Sequence, residues 1–458
     1  MRSLRITGIG VIAGLALLAG LPALASPKVK GKVREYVSPR GFKEACVVLD
    51  RMPGGVYTEA DSQQESALCG IDLNAHSHAV CPKLFSTSPG TLIYDLSAGP
   101  YANNPAGFER DVCPKGRAVE REAVGDPVSF KMSVNTAKTS ATFSNASLIY
   151  YHFSRYFNAS VHVPVSVFRS MDKDEHLRRV TTPGAALSAK RKALAMNHAA
   201  WSALATAEKQ PGSYQPTEEL FTPGQDQVYG VMLHPKGTRY GVDVNGTRRS
   251  GYGEGQNRDF QQTAPFRALK SPKPLAEAVA SGVTPDRSST QIVFWMRDLI
   301  DITLLDYIFS QQDRVGNIDY LLKWYWVEDG QVKHTPASSG KTPPAECASH
   351  SPRLLMRTEL GDNDAGVRTT YANFTKRTRM LENLRHYSAD TFHRLQALDH
   401  DFRAAGPLFQ YVRDTFGLSA KELAQVVRNT AEAAAILRSA CRQKQLRFDV
   451  EPDELLRT

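Results

Sequence analysis

The stretch Ile292 to Phe309 is apolar on nearly every side of a helix, with Trp295, Leu299, Ile302 and Leu305 among its bulky members. A helix without a polar face cannot lie on a surface, so this one predicts the centre of a core around which the remaining elements must pack. It delivers the chain directly to Gln311-Gln312-Asp313, which places the first polar motif at the end of a rigid element.

The start of the chain has a different character. Arg2 and Arg5 precede an apolar run from Ile6 to Leu21, and Ala23-Leu24-Ala25 supplies small residues before Ser26. This is the pattern of a cleaved secretory signal, with an apolar core shorter than the roughly 18 to 20 residues of a spanning helix. No cysteine follows the cut, which argues against a lipid anchor. All six cysteines lie beyond it, at Cys46, Cys69, Cys81, Cys113, Cys347 and Cys441, and an even count in an exported chain favours disulfides. Proximity pairs Cys46 with Cys69 and Cys81 with Cys113, leaving Cys347 with Cys441. His76, His78 and Cys81 lie close together but read as a polar loop in a disulfide region rather than a metal site. The expected location is therefore periplasmic or secreted, with no stable membrane span.

A chain of 458 residues suits one large bilobal unit or two domains. The expected division is a signal over 1–25, a cysteine-rich, irregular N-terminal region over 26–115, an upper lobe over 116–245, and a lower lobe with a helical tail over 246–458. The formal net charge of +9 would favour anionic partners, but acids and bases are interspersed and no basic block is joined to stacking aromatics. No nucleic-acid partner is expected.

Val128 to Val134 alternates as a strand, with Val128, Phe130, Met132 and Val134 on one face and Lys131 on the other. Gly90 to Leu96 reads as a further strand, Ala146 to Phe157 as a helix, and His162 to Phe168 as extended chain. Residues 172 to 225 read as surface helices with a loop. Val228 to Val244 reads as a hairpin turning near Pro235-Lys236-Gly237, and the Gly- and Arg-rich Gly246 to Gln262 as a mobile loop. Tyr320 to Val327 and Leu354 to Leu360 read as strands. Ser419 and Glu422 have capping-box spacing before an apolar stripe.

Two acidic motifs stand in this frame. Asp313-Arg314-Val315-Gly316-Asn317 follows the apolar helix, and Asp362-Asn363-Asp364-Ala365-Gly366 follows the last strand. Taken singly, each is an ordinary turn. Their order matches what moving a terminal phosphoryl group requires: a lysine on the nucleotide phosphates, a carboxylate at the reacting hydroxyl, and an asparagine with a second carboxylate on Mg²⁺ or Mn²⁺. Lys131, Asp313, Asn317 and Asp362 fill those places in chain order.

Phe130-Lys131 on a strand, the helix ending Tyr151-His152-Phe153-Ser154-Arg155, Val163-Pro164, Leu305-Asp306-Tyr307-Ile308 leading to Asp313-Arg314, and Asp362-Asn363 with Gly366 together carry a resemblance. The chain resembles the secretory-pathway kinases that include the Golgi casein kinase and Four-jointed, within the atypical kinase-like group with CotH-type and HipA-type proteins. The resemblance spans about Val128 to Gly366 and omits the cysteine-rich region. It implies an α+β, bilobal protein-kinase-like fold with a mixed α/β N-lobe and a mainly helical C-lobe. It further implies Asp313 as the catalytic base, Lys131 on ATP or another nucleoside triphosphate, and Asp362 with Asn317 on Mg or Mn. The implied activity is transfer of a nucleotide phosphoryl group to a protein or glycan hydroxyl.

Three departures accompany it. Asn317 comes four residues after Asp313, where such kinases use five, so Asp319 is the alternative. No acid lies between Lys131 and Met171 to pair with the lysine from the next helix; Ser147 stands at that place, leaving Glu218 or Glu219 to orient it. No glycine-rich phosphate loop precedes Lys131 beyond the weak Gly99 to Gly107 segment. The alternative function is therefore a catalytically inactive kinase-like protein that binds a nucleotide, a glycan or an envelope partner. An exported hydrolase has less support, since Gly-x-Ser-x-Gly and His-Glu-x-x-His motifs are missing. A paired-carboxylate glycosidase would show two acids across a groove without the lysine.

Overall fold

The computed structural model describes residues 28–116, 122–135, 141–191, 194–234, 237–337 and 342–457. The leader lies outside them, as do Pro235 and Lys236. The fold class expected from the sequence, α+β with a sheet lobe and a mainly helical lobe, is the one observed.

Seven strands build the first sheet: β1 (Gly31–Val37), β2 (Lys43–Leu49), β3 (His78–Pro82), β4 (Gly90–Asp95), β5 (Val124–Met132), β6 (Ser166–Asp172) and β7 (Gln227–Leu233). Their order is β1-β2-β6-β7-β5-β4-β3, antiparallel throughout. The N-terminal region, expected to be irregular, thus supplies four strands to this sheet. Most of its Gly, Pro and Ser residues fall between the elements, while KEACVVL and GTLIYD keep the β-rich composition that pairing needs. Disulfides Cys46–Cys69 and Cys81–Cys113 pin the edges, each worth about 3 kcal/mol at such loop lengths. The third expected pair does not form. Cys347 is buried against Trp324 and Trp326, whereas Cys441 is half-buried on the helix Ala420–Arg442.

The helix Asn145–Tyr156 packs on β6 and β7 on one side and on the core helix Ser289–Phe309 on the other. Every residue of the core helix except Ser289 is buried. Its charges are all paired, Arg297 with Asp301, Asp298 with Arg357 at 3.1 Å and Asp306 with Arg314 at 2.9 Å, as burial demands. Fully burying each large apolar side chain here contributes about 1.5 to 3 kcal/mol.

A second sheet holds β8 (Thr238–Arg239), β9 (Asp319–Glu328), β10 (Gln331–Pro336) and β11 (Arg353–Glu359) in the order β10-β9-β11, with β8 also on β9. The expected hairpin over 228–244 is therefore not one: β7 joins the first sheet and β8 pairs with Asp319 and Tyr320. The stretch 246–262, expected as a mobile loop, contains the helix Glu254–Phe260, with Gln256, Asn257 and Phe260 buried. The capping box is present: Ser419 accepts from the Glu422 N–H, and Glu422 accepts from the Ser419 N–H at 2.8 Å.

Candidate functional site

The helix Ser289–Phe309 ends on Ser310 in the left-handed region (φ 52°). Its last carbonyls would be orphaned there, and two amide side chains take them: Asn373 donates to Tyr307 O at 2.8 Å and Asn429 to Ile308 O at 2.9 Å. Gln425 and Asn429 also donate to the Ser310 hydroxyl, at 2.8 and 3.0 Å. The helix end is thus rigid where it launches Asp313. Gly316 (φ 82°) then turns the chain so that Asn317 donates back to the Asp313 carbonyl at 2.7 Å.

The second acidic motif leaves β11 and lies against the first. Gln312 N–H donates to Ala365 O at 3.0 Å, and Arg314 binds both loops. Lys131 reaches the same place from β5. Its ammonium stands 3.1 Å from Asp362 Oδ1, 3.5 Å from Asp364 Oδ2 and 3.3 Å from Gly361 O. Burial disfavours charge on both partners, but Asp364 and Asp362 outweigh it and hold the lysine well above its usual range. For Asp362, the desolvation is overcome by Lys131, Lys83 and Arg239, which hold the carboxyl well below the carboxylate range.

Asp313 behaves oppositely. Burial raises it, Arg248 at 3.6 Å lowers it, and Asp362 and Asp364 raise it again; the net direction is upward. The two carboxyl groups are thus shifted in opposite directions.

The partner of Lys131 is neither Glu218 nor Glu219. Glu219 accepts from Asn135 at 2.7 Å and is ion-paired to Arg368, which also holds Glu422. Ser147, buried on the helix Asn145–Tyr156, has a hydroxyl without a hydrogen bond. Asp364, two residues beyond Asp362, supplies the second carboxylate instead.

Sequence reasoning missed two further cations. Lys83 opens the β3–β4 hairpin, closed by its N–H to Gly90 O at 2.8 Å, and Gly90 is paired with Lys131. Burial lowers Lys83, then Lys131 lowers it further, while Asp362 and Asp364 raise it. The hairpin Lys83-Leu84-Phe85-Ser86-Thr87-Ser88-Pro89-Gly90 therefore borders the site, not the Gly99 to Gly107 segment, which runs into the helix Pro105–Asp111. The second is Arg239 on β8. It donates to Gly316 O at 2.6 Å, Asn317 Oδ1 at 2.8 Å and Asp362 Oδ2 at 3.1 Å, and pairs with Asp319 Oδ1 at 2.7 Å.

Among the described residues, no group of three or more His, Cys, Asp or Glu is arranged to hold a metal ion. Asn317, Asp319 and Asp362, with the Gly316 carbonyl, nevertheless aim four oxygens at one cation, the Arg239 guanidinium. Hard oxygen donors of this kind suit Mg²⁺ or Mn²⁺, so the residues fit such an ion once Arg239 withdraws. Its side chain is 44% exposed on a two-residue strand, which leaves it room to do so. Arg239→Ala is expected to tighten Mn²⁺ binding by about tenfold or more, since it removes the competing charge. Titration of the free protein followed by electron paramagnetic resonance measures it, and unchanged affinity would separate Arg239 from the cation position.

No protein-family model matches the chain, and no curated protein matches it. Among solved structures, the chain is similar to one described as "Crystal structure of the golgi casein kinase", at 10% identity over 85% of this chain and 78% of that one, with a TM-score of 0.42. A likeness that low carries no argument about this chain.

Proposed function

We propose that this chain is an exported, kinase-like phosphotransferase that moves a nucleotide phosphoryl group to a protein or glycan hydroxyl. The observation that carries the reading is the contact of Lys131 on β5 with Asp362 and Asp364, more than 230 residues away, with Asp313 within the field of both acids and Asn317 joined to Asp362 through Arg239. A glycosidase would have no use for a lysine between its carboxylates.

In this reading Lys131 and Lys83 hold the anionic phosphates, the latter from the hairpin that borders them. Asp313 accepts the acceptor hydroxyl proton as that oxygen bonds to the terminal phosphorus and the bond to the nucleoside diphosphate breaks. Asp362 and Asn317 would hold Mg²⁺ or Mn²⁺, which neutralises phosphate charge when bound. Arg314 and Asp364 position the acidic residues. Two formed disulfides support an oxidising compartment, and no described helix is long and apolar enough to cross a membrane.

A second reading, a catalytically silent kinase-like protein, is favoured by one observation, the occupation of the cation position by Arg239. Binding of ATP and GTP with and without Mg²⁺ or Mn²⁺ tests both. Metal-dependent binding that Asp362→Ala weakens by about tenfold or more, the worth of one charge-assisted contact, supports the phosphotransferase. Metal-independent binding that Arg239→Ala abolishes supports the silent form, and no nucleotide binding under any condition sinks the phosphotransferase and leaves the silent form with a glycan or envelope partner.

A further inference from the structure

A second recess lies where the second sheet, the core helix, the turn around Ser160 and the C-terminal Glu451–Asp453 meet. It encloses about 800 Å³ and includes none of Lys131, Asp313, Asn317 or Asp362 in its lining. That volume is in the range of small-molecule sites.

Its floor is a sheet face. Antiparallel register sets Tyr325 opposite His334, Lys323 opposite Leu355 and Leu321 opposite Arg357, so Lys323, Tyr325, His334 and Arg357 share one side. Phe294 from the core helix and Val332 add an apolar wall.

The charges on this face do not balance. The charge of Arg357 is paired: it meets Asp298 at 3.1 Å and donates to the Tyr325 hydroxyl at 2.8 Å and to Ser160 Oγ at 2.7 Å. The acids that border the recess are also committed or distant. Asp61 pairs with Arg155, Glu359 with His162, and Glu451 is hydrogen-bonded at Ser388 and Ala389 beside Arg297; Asp453 is exposed at the rim. Lys323, unlike the arginines around it, has no hydrogen bond or ion pair among the described residues. Burial and then Arg357 disfavour its charge more than Glu359 and Asp298 favour it, and burial, Lys323 and Arg357 outweigh Asp453 to do the same to His334, whose ring rests on Tyr325 at 5.2 Å. A half-buried ammonium that no carboxylate contacts, beside a guanidinium, is a cost to the fold that an anion would offset.

We propose that this recess is a second ligand site, for a small organic oxyanion, with Lys323 as its charge contact, His334 as a ring N–H donor, and Phe294, Tyr325 and Val332 as the wall for its apolar part. Phosphate, sulfate and carboxylate share the recognising chemistry.

The test is calorimetric titration of the whole protein with inorganic phosphate, inorganic sulfate and glucuronate, at ionic strength held constant with NaCl. Saturable binding of at least one is expected, and Lys323→Met should weaken it about tenfold or more, the worth of one charge-assisted hydrogen bond. Lys323→Arg should retain it, and Lys131→Met should leave it unchanged. Preference for the two inorganic ions assigns a tetrahedral oxyanion; preference for glucuronate assigns a carboxylate. His334→Gln, exposed on the edge strand β10, should also weaken binding and serves if the lysine variant fails to fold. No saturable binding overturns the proposal. So does binding that Lys131→Met abolishes while Lys323→Met does not, which would move the anion to the nucleotide cleft.

Discussion

Arg314→Ala is expected to destabilise the protein by about 3 to 5 kcal/mol, the cost of breaking a buried ion pair from one side. Arg314 Nε and Nη2 each donate to Asp306 at 2.9 Å, Nη2 also reaches Asn363 Oδ1 at 2.9 Å, and Nη1 reaches the Asp362 carbonyl at 3.0 Å. Asp306 is 2% exposed and Arg314 5%. Alanine would leave the Asp306 carboxylate buried with one donor, the Tyr150 hydroxyl at 2.8 Å, and would orphan two acceptors in the second acidic loop. Arg314→Lys keeps the charge but lacks the planar fork, so an intermediate loss is expected. Urea denaturation at unchanged slope measures both. A loss under about 1 kcal/mol for alanine would mean that Asp306 is solvated or protonated without cost, and that Arg314 does not lock the two loops together.

This lock also marks how far the sequence could be read. The core helix, β5, the helix after it and the two acidic motifs were legible because each announces itself locally, by periodicity or by residue type after an apolar run. The role of Arg314 was not, since a surface ion pair and a buried four-acceptor clamp are the same dipeptide in sequence. Lys83 and Arg239 were missed for a related reason. Their importance lies in non-local register, Gly90 against Lys131 and Arg239 against Asp319, which no local pattern encodes. The helix Glu254–Phe260 was hidden because its glycine-rich entry and scant apolar content outweighed its spacing. In β1 only Tyr36 is buried, and five exposed positions, Val33 and Val37 among them, blur the pattern of an edge strand. Asp364 was visible and passed over, because the lysine's partner was sought on the next helix; the chain supplies it from the loop that carries Asp362.

Asp313→Asn is expected to lower phosphoryl transfer by about 10² to 10⁴-fold, the usual worth of a positioned general base. The amide keeps the shape and leaves intact the Asp313 backbone carbonyl bond from Asn317 and the N–H bond to Gln311 at 3.0 Å. Lys131 and Asp362 are untouched, so nucleotide affinity should stay within about threefold, well below the 1.4 kcal/mol of a tenfold change. The pH profile carries the sign of the electrostatics. Burial, Asp362 and Asp364 raise the Asp313 carboxyl against the pull of Arg248, so activity should fall on the acid side at a pH above the ordinary aspartate value of about 3.9. Arg248→Gln removes the one neighbour that favours the carboxylate most, and must therefore move that limb to higher pH. Single-turnover rates and nucleotide titrations on the same samples separate the possibilities: a rate loss with binding preserved assigns the proton to Asp313. Parallel loss of both would make Asp313 a structural residue of the cleft and leave the base to be found elsewhere.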